Sequence, residues 1–225
     1  MTTKTLSTWL QRINQPLEWL NPKLSNISDQ TLILDRDVVI SRLAKAIQLG
    51  EHVVFFGDYD VDGITSAVIL TDAVRRMGGR CSISLASRFS GGGYGFSDIA
   101  CTQVLALRPK VVVTLDCGSS DHDRIQRLKD NGVDILVIDH HLVPDRPLPA
   151  DAFINPHRPE CKSTFKWFAS GGLAWSVVGG LSRLLGSDVK ASDYLDLAAL
   201  ATIADVAPLV GNNRDLLRAG LKAIS

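Results

Sequence analysis

Five short apolar runs, separated by segments of helical period, constrain this chain more than any other feature. They are His52-Val-Val-Phe-Phe-Gly57 and residues 81–86, 111–115, 134–138 and 152–154, each shorter than a typical helix. Between them, residues 63–77, 97–107 and 121–129 read as helices. In 63–77, Ala67, Leu70, Ala73, Val74 and Met77 share one side and Gly78-Gly79 is the stop. A strand covered on both faces reads as a continuous apolar run, and strands alternating with helices join through right-handed crossovers into a parallel sheet. The expected fold is therefore α/β, an open parallel sheet of about five strands flanked by helices, with 152–154 as an edge strand. A helix at 35–49 precedes the first strand, with Val38, Val39, Leu43, Ala46 and Ile47 at helical spacing and Gly50 as its C-cap glycine. A C-terminal helical segment follows at 171–185, 192–206 and 213–224, the second helix ended by Pro208. Residues 1–34, punctuated by Pro16 and Pro22, are expected to pack on the core domain, 35–225, through Trp9, Leu10, Leu17, Trp19 and Leu20.

Charge and cysteine usage remove several functions. Lys and Arg number 24 against 24 Asp and Glu, so no overall positive field exists to hold a polyanion, and a nucleic-acid role needs a local site. Cys81, Cys101, Cys117 and Cys161 form no C-x-x-C pair, which argues against zinc ribbons and redox motifs and for reduced thiols in the cytoplasm. No stretch of about 18 uncharged apolar residues occurs, and residues 1–14 lack the apolar core of a signal peptide, so neither membrane spanning nor secretion is expected.

In an open parallel sheet ligands bind beyond the carboxyl ends of the strands. Three of the runs end there in metal-type ligands: Asp58-Tyr-Asp60-Val-Asp62-Gly63 after the first, Asp116 after the third, and Asp139-His140-His141 after the fourth. Converging carboxylates repel one another in an apolar setting unless a cation joins them, and two divalent ions are expected. The Asp-x-Asp-x-Asp-Gly pattern is not a calcium loop, because Ile69 stands at the twelfth position, where a bidentate Glu is required. Asp116 alone would read as a helix cap; the convergence of three strand ends argues otherwise. Of His140 and His141, adjacent at a strand end and pointing different ways, one is expected to ligate and the other to meet substrate. Asp205, in an almost wholly apolar helix, needs a partner, either nearby backbone or a metal ion. His52, His122 and His157 are expected to be structural or surface residues.

Two further loops could hold phosphate. Arg88 and Tyr94 flank a glycine-rich stretch after the second strand that does not fit the dinucleotide register. Ser170-Gly171-Gly172 opens an apolar helix, and its N–H groups could face an anion, or the serine could be an ordinary cap. Arg158, Lys162 and Lys166 interleave with Phe165, Trp167 and Phe168, the composition either of a strand-tracking groove with stacking rings or of a solvated loop with a tucked aromatic anchor.

Together these motifs resemble the DHH phosphoesterase superfamily, in particular its RecJ-like branch of single-strand nucleases. The resemblance is carried by Gly57-Asp-Tyr-Asp-Val-Asp-Gly-Ile-Thr-Ser66, Arg88-Phe with Gly93-Tyr-Gly95, Thr114-Leu-Asp-Cys-Gly118, Asp139-His-His141, Ile154-Asn-Pro156, Ser170-Gly-Gly172 and Thr202-Ile-Ala-Asp-Val206. It implies two Mn²⁺ or Mg²⁺ ions, one held by Asp58, Asp60 and Asp116, the second by Asp116, Asp62, His140 and Asp205. Asp60, Asp116, His140 and His141 would carry the catalysis. Arg88, Tyr94, His141, Ser170, Gly171 and Gly172 would contact substrate, with Asp139 and Asn155 orienting the ligands. The implied activity is metal-dependent phosphodiester hydrolysis on single-stranded DNA from the 5′ end, in repair or recombination. Alternatives are a phosphodiesterase of short oligonucleotides or cyclic dinucleotides and a catalytically silent replication or repair scaffold. The family's usual second domain, with its glycine-rich, histidine-containing motif, is not found in residues 1–225, so either a further domain or a protein partner is expected to complete the cleft, or the domain acts alone on small substrates.

Overall fold

Each of the five apolar runs becomes a strand. In the computed structural model, which describes residues 3–12, 15–87 and 95–225, they are β1 (Val53–Gly57), β2 (Cys81–Leu85), β3 (Val111–Leu115), β4 (Asp134–Ile138) and β5 (Ala152–Ile154). All pair in parallel, in the order β2-β1-β3-β4-β5. The helices among the described residues are α1 (Thr3–Arg12), α2 (Arg36–Gln48), α3 (Val61–Arg76), α4 (Asp98–Ala106), α5 (His122–Asp130), α6 (Ser170–Leu185), α7 (Leu195–Ala204) and α8 (Gly211–Ile224). None of the described helices is long and apolar enough to cross a membrane.

Alternation along the strands splits the core into two layers. Val53, Phe55, Val111, Val113 and Leu115 meet α2, α3, α6 and α7 on one face. Val54, Phe56, Val112, Ile135 and Val137 meet α4 and α5 on the other. Burial on both sides is why these strands are apolar throughout rather than alternating, and each large side chain so buried contributes about 1.5–3 kcal/mol. Val39, Leu43 and Ala46 turn inward from α2 as their spacing predicts, whereas Val38 is half exposed. The segment before α2 is fastened to α8: the Lys23 N–H donates to Asp215 at 2.7 Å, the Ser28 N–H to Asn212 at 3.0 Å, and Arg214 Nε to the Trp19 carbonyl at 3.1 Å.

Helix boundaries depart from the periodicity at two places that matter. α3 begins two residues earlier than its apolar pattern suggests, because the Asp60 carboxylate accepts the Gly63 N–H at 2.9 Å and caps it. α7 starts at Leu195 after a single 3₁₀ turn, Ala191–Tyr194, and stops at Ala204, before Pro208 acts. Val206, with φ of 55°, closes that end: its N–H reaches the Ile203 carbonyl at 3.1 Å and the Ala207 N–H reaches Thr202 at 3.2 Å.

Both glycines that bracket the first acidic motif are demanded by packing. A Cβ on Gly63 would lie 2.5 Å from the Asp58 carbonyl oxygen and 2.6 Å from its nitrogen, and a Cβ on Gly57 would strike the Gly63 carbonyl. The first turn of α3 thus lies directly on the end of β1. Gly63→Ala should therefore destabilise by about 3 kcal/mol through overpacking against rigid backbone. Gly132→Ala, at φ of 73° with open space around it, should cost only about 1 kcal/mol. Guanidinium unfolding of both variants checks this; equal losses would mean that the β1–α3 contact is not a packing constraint.

Candidate metal centre

Strand register assembles the site. Gly57 pairs with Leu115, Leu115 with Ile138, and Ile138 with Ile154. The ladder runs one step further: the Asp58 N–H donates to the Leu115 carbonyl at 3.2 Å, Asp116 to Ile138 at 3.0 Å, and Asp139 to Ile154 at 3.0 Å. Asp58, Asp116, Asp139 and Asn155 consequently form a row along the carboxyl edge of the sheet. Chain order reverses between β1 and β3, the switch point where such sheets open a binding crevice, and the row crosses it.

Asp62, in the first turn of α3, is almost completely buried. Its two carboxylate oxygens accept the N–H groups of Ser170 and Gly171, both at 2.7 Å. Ser170, Gly171 and Gly172 are the first residues of α6, with Ala169 as its cap residue, so the anion met by this helix N-terminus is the protein's own carboxylate. Gly171 is required for the approach, since a Cβ there would lie 2.5 Å from Ala201 Cβ and 3.3 Å from Asp62 Oδ1.

His140 stands between three of the carboxylates. Its Nε2 is 3.1 Å from Asp116 Oδ1, 3.5 Å from Asp62 Oδ2 and 3.8 Å from Asp205 Oδ2. Asp205 lies just past the last residue of α7 rather than within the helix, which frees its carboxylate to face the strand ends. Asp60 comes within hydrogen-bonding reach of Asp116, and Asp58 feels the charges of Asp60 and His141. Two overlapping groups, Asp116 with His140 and His141, and Asp62 with His140 and Asp205, each offer three ligand atoms within 4.8 Å of one another, close enough to hold an ion. Asp116 adopts φ of 61°, the left-handed region, at a cost of order 1 kcal/mol, so its backbone is strained where the carboxylates meet.

The electrostatics divide the row in two. Burial first, then the charges of Asp62 and Asp60, pushes the Asp116 carboxyl far above the usual carboxylate range. Burial also lifts Asp62 to about 6, opposed by His140 and by the Gly171 and Ser170 N–H groups, and it raises Asp58 and Asp205. Asp139 behaves oppositely although it is equally buried. Burial alone would raise it, but His141 Nδ1 at 2.8 Å, together with the N–H groups of Ser119, His140 and His141 at 2.9, 2.7 and 3.1 Å, holds it below the usual range. The same hydrogen bond lifts His141 to about 9, leaving an imidazolium at neutral pH with its ring more than half exposed at the edge of the site. Asn155 steadies this corner by donating to Ser119 Oγ at 3.0 Å and to the His141 carbonyl at 2.9 Å.

Ser119 is the participant that motif reading passes over; its one signal is its place directly after the acidic turn and Gly118. Arg88 and Tyr94 lie outside the described residues. His52 is tied to the Leu107 carbonyl and Ser82, and His122 to the Arg146 carbonyl, away from the row. In the basic-aromatic loop, Arg158 pairs with Asp35 at 2.6 Å and Lys166 Nζ is held by the carbonyls of Pro156 and Cys161. Phe165 and Phe168 are buried against each other, so the tucked-anchor alternative describes Arg158, Lys166 and these two rings, whereas Trp167 is half exposed.

Opposite shifts give opposite pH signatures in the metal-free protein. Asp139, held low, contributes stability above the unfolded carboxylate pKa that is lost as pH falls through its folded value. Asp116, pushed up, makes the fold less stable as pH rises above the ordinary carboxylate range. With chelator at pH 7.5, Asp139→Asn should cost about 3 kcal/mol because it leaves buried donors unsatisfied. Asp116→Asn should be neutral or stabilising. Melting curves of both variants decide; a destabilised Asp116→Asn would show that this carboxylate is structurally paired.

Sequence and fold comparisons identify the family. Residues 52–202 match the DHH family, N-terminal domain. The single-stranded-DNA-specific exonuclease RecJ of Dickeya dadantii is 33% identical over 228 residues, covering 96% of this chain and 39% of that protein. A crystal structure of exonuclease RecJ bound to manganese superposes with a TM-score of 0.76 at 32% identity, over 84% of this chain and 47% of that one. RecJ of Thermus thermophilus in complex with Mn²⁺ gives 0.78 at 30% identity, over 99% and 31%. The chain thus spans about two-fifths of the curated relative's length, and across that span it belongs to the DHH family.

Proposed function

We propose that this chain hydrolyses phosphodiester bonds of single-stranded DNA, as the catalytic part of an exonuclease that works in the cytoplasm from the 5′ end in DNA repair or recombination. The observation that carries the reading is the convergence of Asp62, Asp116 and Asp205 around His140, with Asp60 beside Asp116 and Asp58 beside Asp60, a cluster whose mutual repulsion divalent cations relieve. Oxygen-rich ligand sets with one imidazole suit Mn²⁺ and Mg²⁺. Asp58, Asp60 and Asp116 would hold one ion, and Asp116, Asp62, His140 and Asp205 the other. Held there, the ions would supply activation of a water molecule and stabilisation of the attacking and leaving oxygens of the displacement.

The chain's own residues do the rest. The N-terminus of α6 fixes Asp62, and the Asp60 cap fixes the turn between β1 and α3, so these ligands need little rearrangement on loading. Asp139 keeps His141 protonated, and an imidazolium beside the cluster can pair with a phosphate oxygen. Arg88 and Tyr94 would take further phosphate contacts, and a further domain or a partner protein would close the cleft. Free thiols at Cys81, Cys101, Cys117 and Cys161 suit a reducing compartment.

Digestion of a single strand labelled at its 5′ or its 3′ end, with Mn²⁺ or with chelator, tests the proposal. The expected result is Mn²⁺-dependent loss of the 5′ label first, with Asp116→Asn slower by about a thousandfold or more, equivalent to about 4 kcal/mol of transition-state stabilisation. Preferential turnover of a dinucleotide would assign the site to small substrates instead. Inertness with both metal sites filled would mark the chain as a scaffold.

A further inference from the structure

Away from the metal cluster, residues 19–28, the segment 164–168 and the first turn of α8 enclose a cavity of about 580 Å³, within the range of small-molecule sites. We infer that this cavity is a nucleobase subsite that receives one base of the single strand whose backbone the metal centre cleaves; the inference rests on the proposed nuclease function.

Its lining has the chemistry of base recognition rather than of phosphate binding. Trp19 and Trp167 both face the space, and Trp167 keeps half of its surface exposed, unlike the buried Phe165 and Phe168 beside it. Of the residues that line it only Arg214 is basic, and it is engaged by the Trp19 carbonyl, with its guanidinium 5.2 Å from the centre of the Trp19 ring; Lys166, next to lining Trp167 in sequence, is held by two backbone carbonyls. Aromatic rings without a free cation select a flat π-face, which every nucleobase has.

A second observation is independent of the rings. Asn213 lines the same cavity and is 1% exposed. Its Nδ2 donates to the Trp167 carbonyl at 2.6 Å and to Pro208 at 3.0 Å, which fixes the orientation of the amide, yet Oδ1 has no partner among the described residues. A buried acceptor left unpaired is costly. The N–H groups on the Watson–Crick edge of a stacked base are donors of the kind it lacks.

Position links the cavity to the cleavage site. Both of its walls continue into the metal centre, one from Trp167 to Ser170 and Gly171, which hold Asp62, the other from Asp205 through Pro208 to Asn213. Trp167 and Ser170 are three residues apart, at most about 11 Å along extended chain. A base seated here would belong to a nucleotide close to the scissile bond, and its stacking would favour unpaired strands, since a paired base cannot leave its helix without cost.

The test is binding in chelator, where nothing is cleaved. Dye-labelled ten-nucleotide strands, each with one abasic residue at a different position, are titrated with wild type, Trp167→Ala and Trp167→Phe, and each variant's melting curve verifies folding. In wild type one position near the bound end should lose about tenfold in affinity. That loss should vanish in Trp167→Ala and be retained in Trp167→Phe, which keeps a ring. Uniform losses along the strand, or the same profile in Trp167→Ala, would overturn the subsite, as would a mononucleotide that competes as well as the strand, which would make the cavity a free-nucleotide site. A strand that shows the abasic signature but stays intact in Mn²⁺ would refute the nuclease and leave the subsite standing; cleavage without the signature would do the reverse.

Discussion

Like charges brought together by strand register are the constraint on which the rest of this structure depends. Parallel pairing in a single register puts the residues that follow β1, β3 and β4 side by side, and all three are aspartates: Asp58, Asp116 and Asp139. At about 4 Å such a pair repels by several kcal/mol where the effective dielectric is near 20. The fold resolves the conflict differently at each end of the row. Asp139 is saturated by three N–H groups and an imidazole and stays ionised; Asp116 has no comparable set of donors and is driven toward its neutral form. A carboxylate neutralised by protein donors is a scaffold, whereas one left to repel its neighbours is disposed to bind a cation.

The second layer of structure serves to hold that disposition in place. The N-terminal N–H groups of α6 donate to Asp62, so a helix dipole stabilises that carboxylate, and the packing of Gly57 against Gly63 leaves the Asp58–Asp62 turn no room to relax. The left-handed backbone at Asp116 and at Val206, next to Asp205, is local strain that the surrounding packing must offset. Carboxylates held this way would lose little conformational entropy on binding metal, and their repulsion lowers the stability of the metal-free protein at neutral pH.

Much of this was legible in the sequence because it follows from burial. Runs covered on both faces must be apolar throughout, so Val53–Gly57, Val111–Leu115 and Asp134–Ile138 declared themselves, and the acidic residues at their ends then stood out as a conflict. What pattern reading missed depends on backbone geometry and on long-range partners. Periodicity could not place the end of α7 at Ala204, because a valine in the left-handed region performs the task for which glycine is the expected residue. Ser170-Gly171-Gly172 could read as an anion-facing helix start or as a serine cap, and only the fold reveals that its N–H groups meet Asp62, more than one hundred residues away. Lys166 could read as a groove cation or as part of a solvated loop, and only the fold shows its amine held by the Pro156 and Cys161 carbonyls. Ser119 carries no signal beyond its neighbours.

In the proposed centre the carboxylates around His140 and those of Asp58 and Asp60 would hold two cations that share Asp116. Titration with Mn²⁺ at pH 7.5, following the electron paramagnetic resonance of free and bound ion, measures it directly. Two ions per chain are expected, with a spectrum broadened by spin exchange between ions that share a carboxylate. Binding of no ion, or of one ion whose spectrum is that of an isolated site, would contradict it.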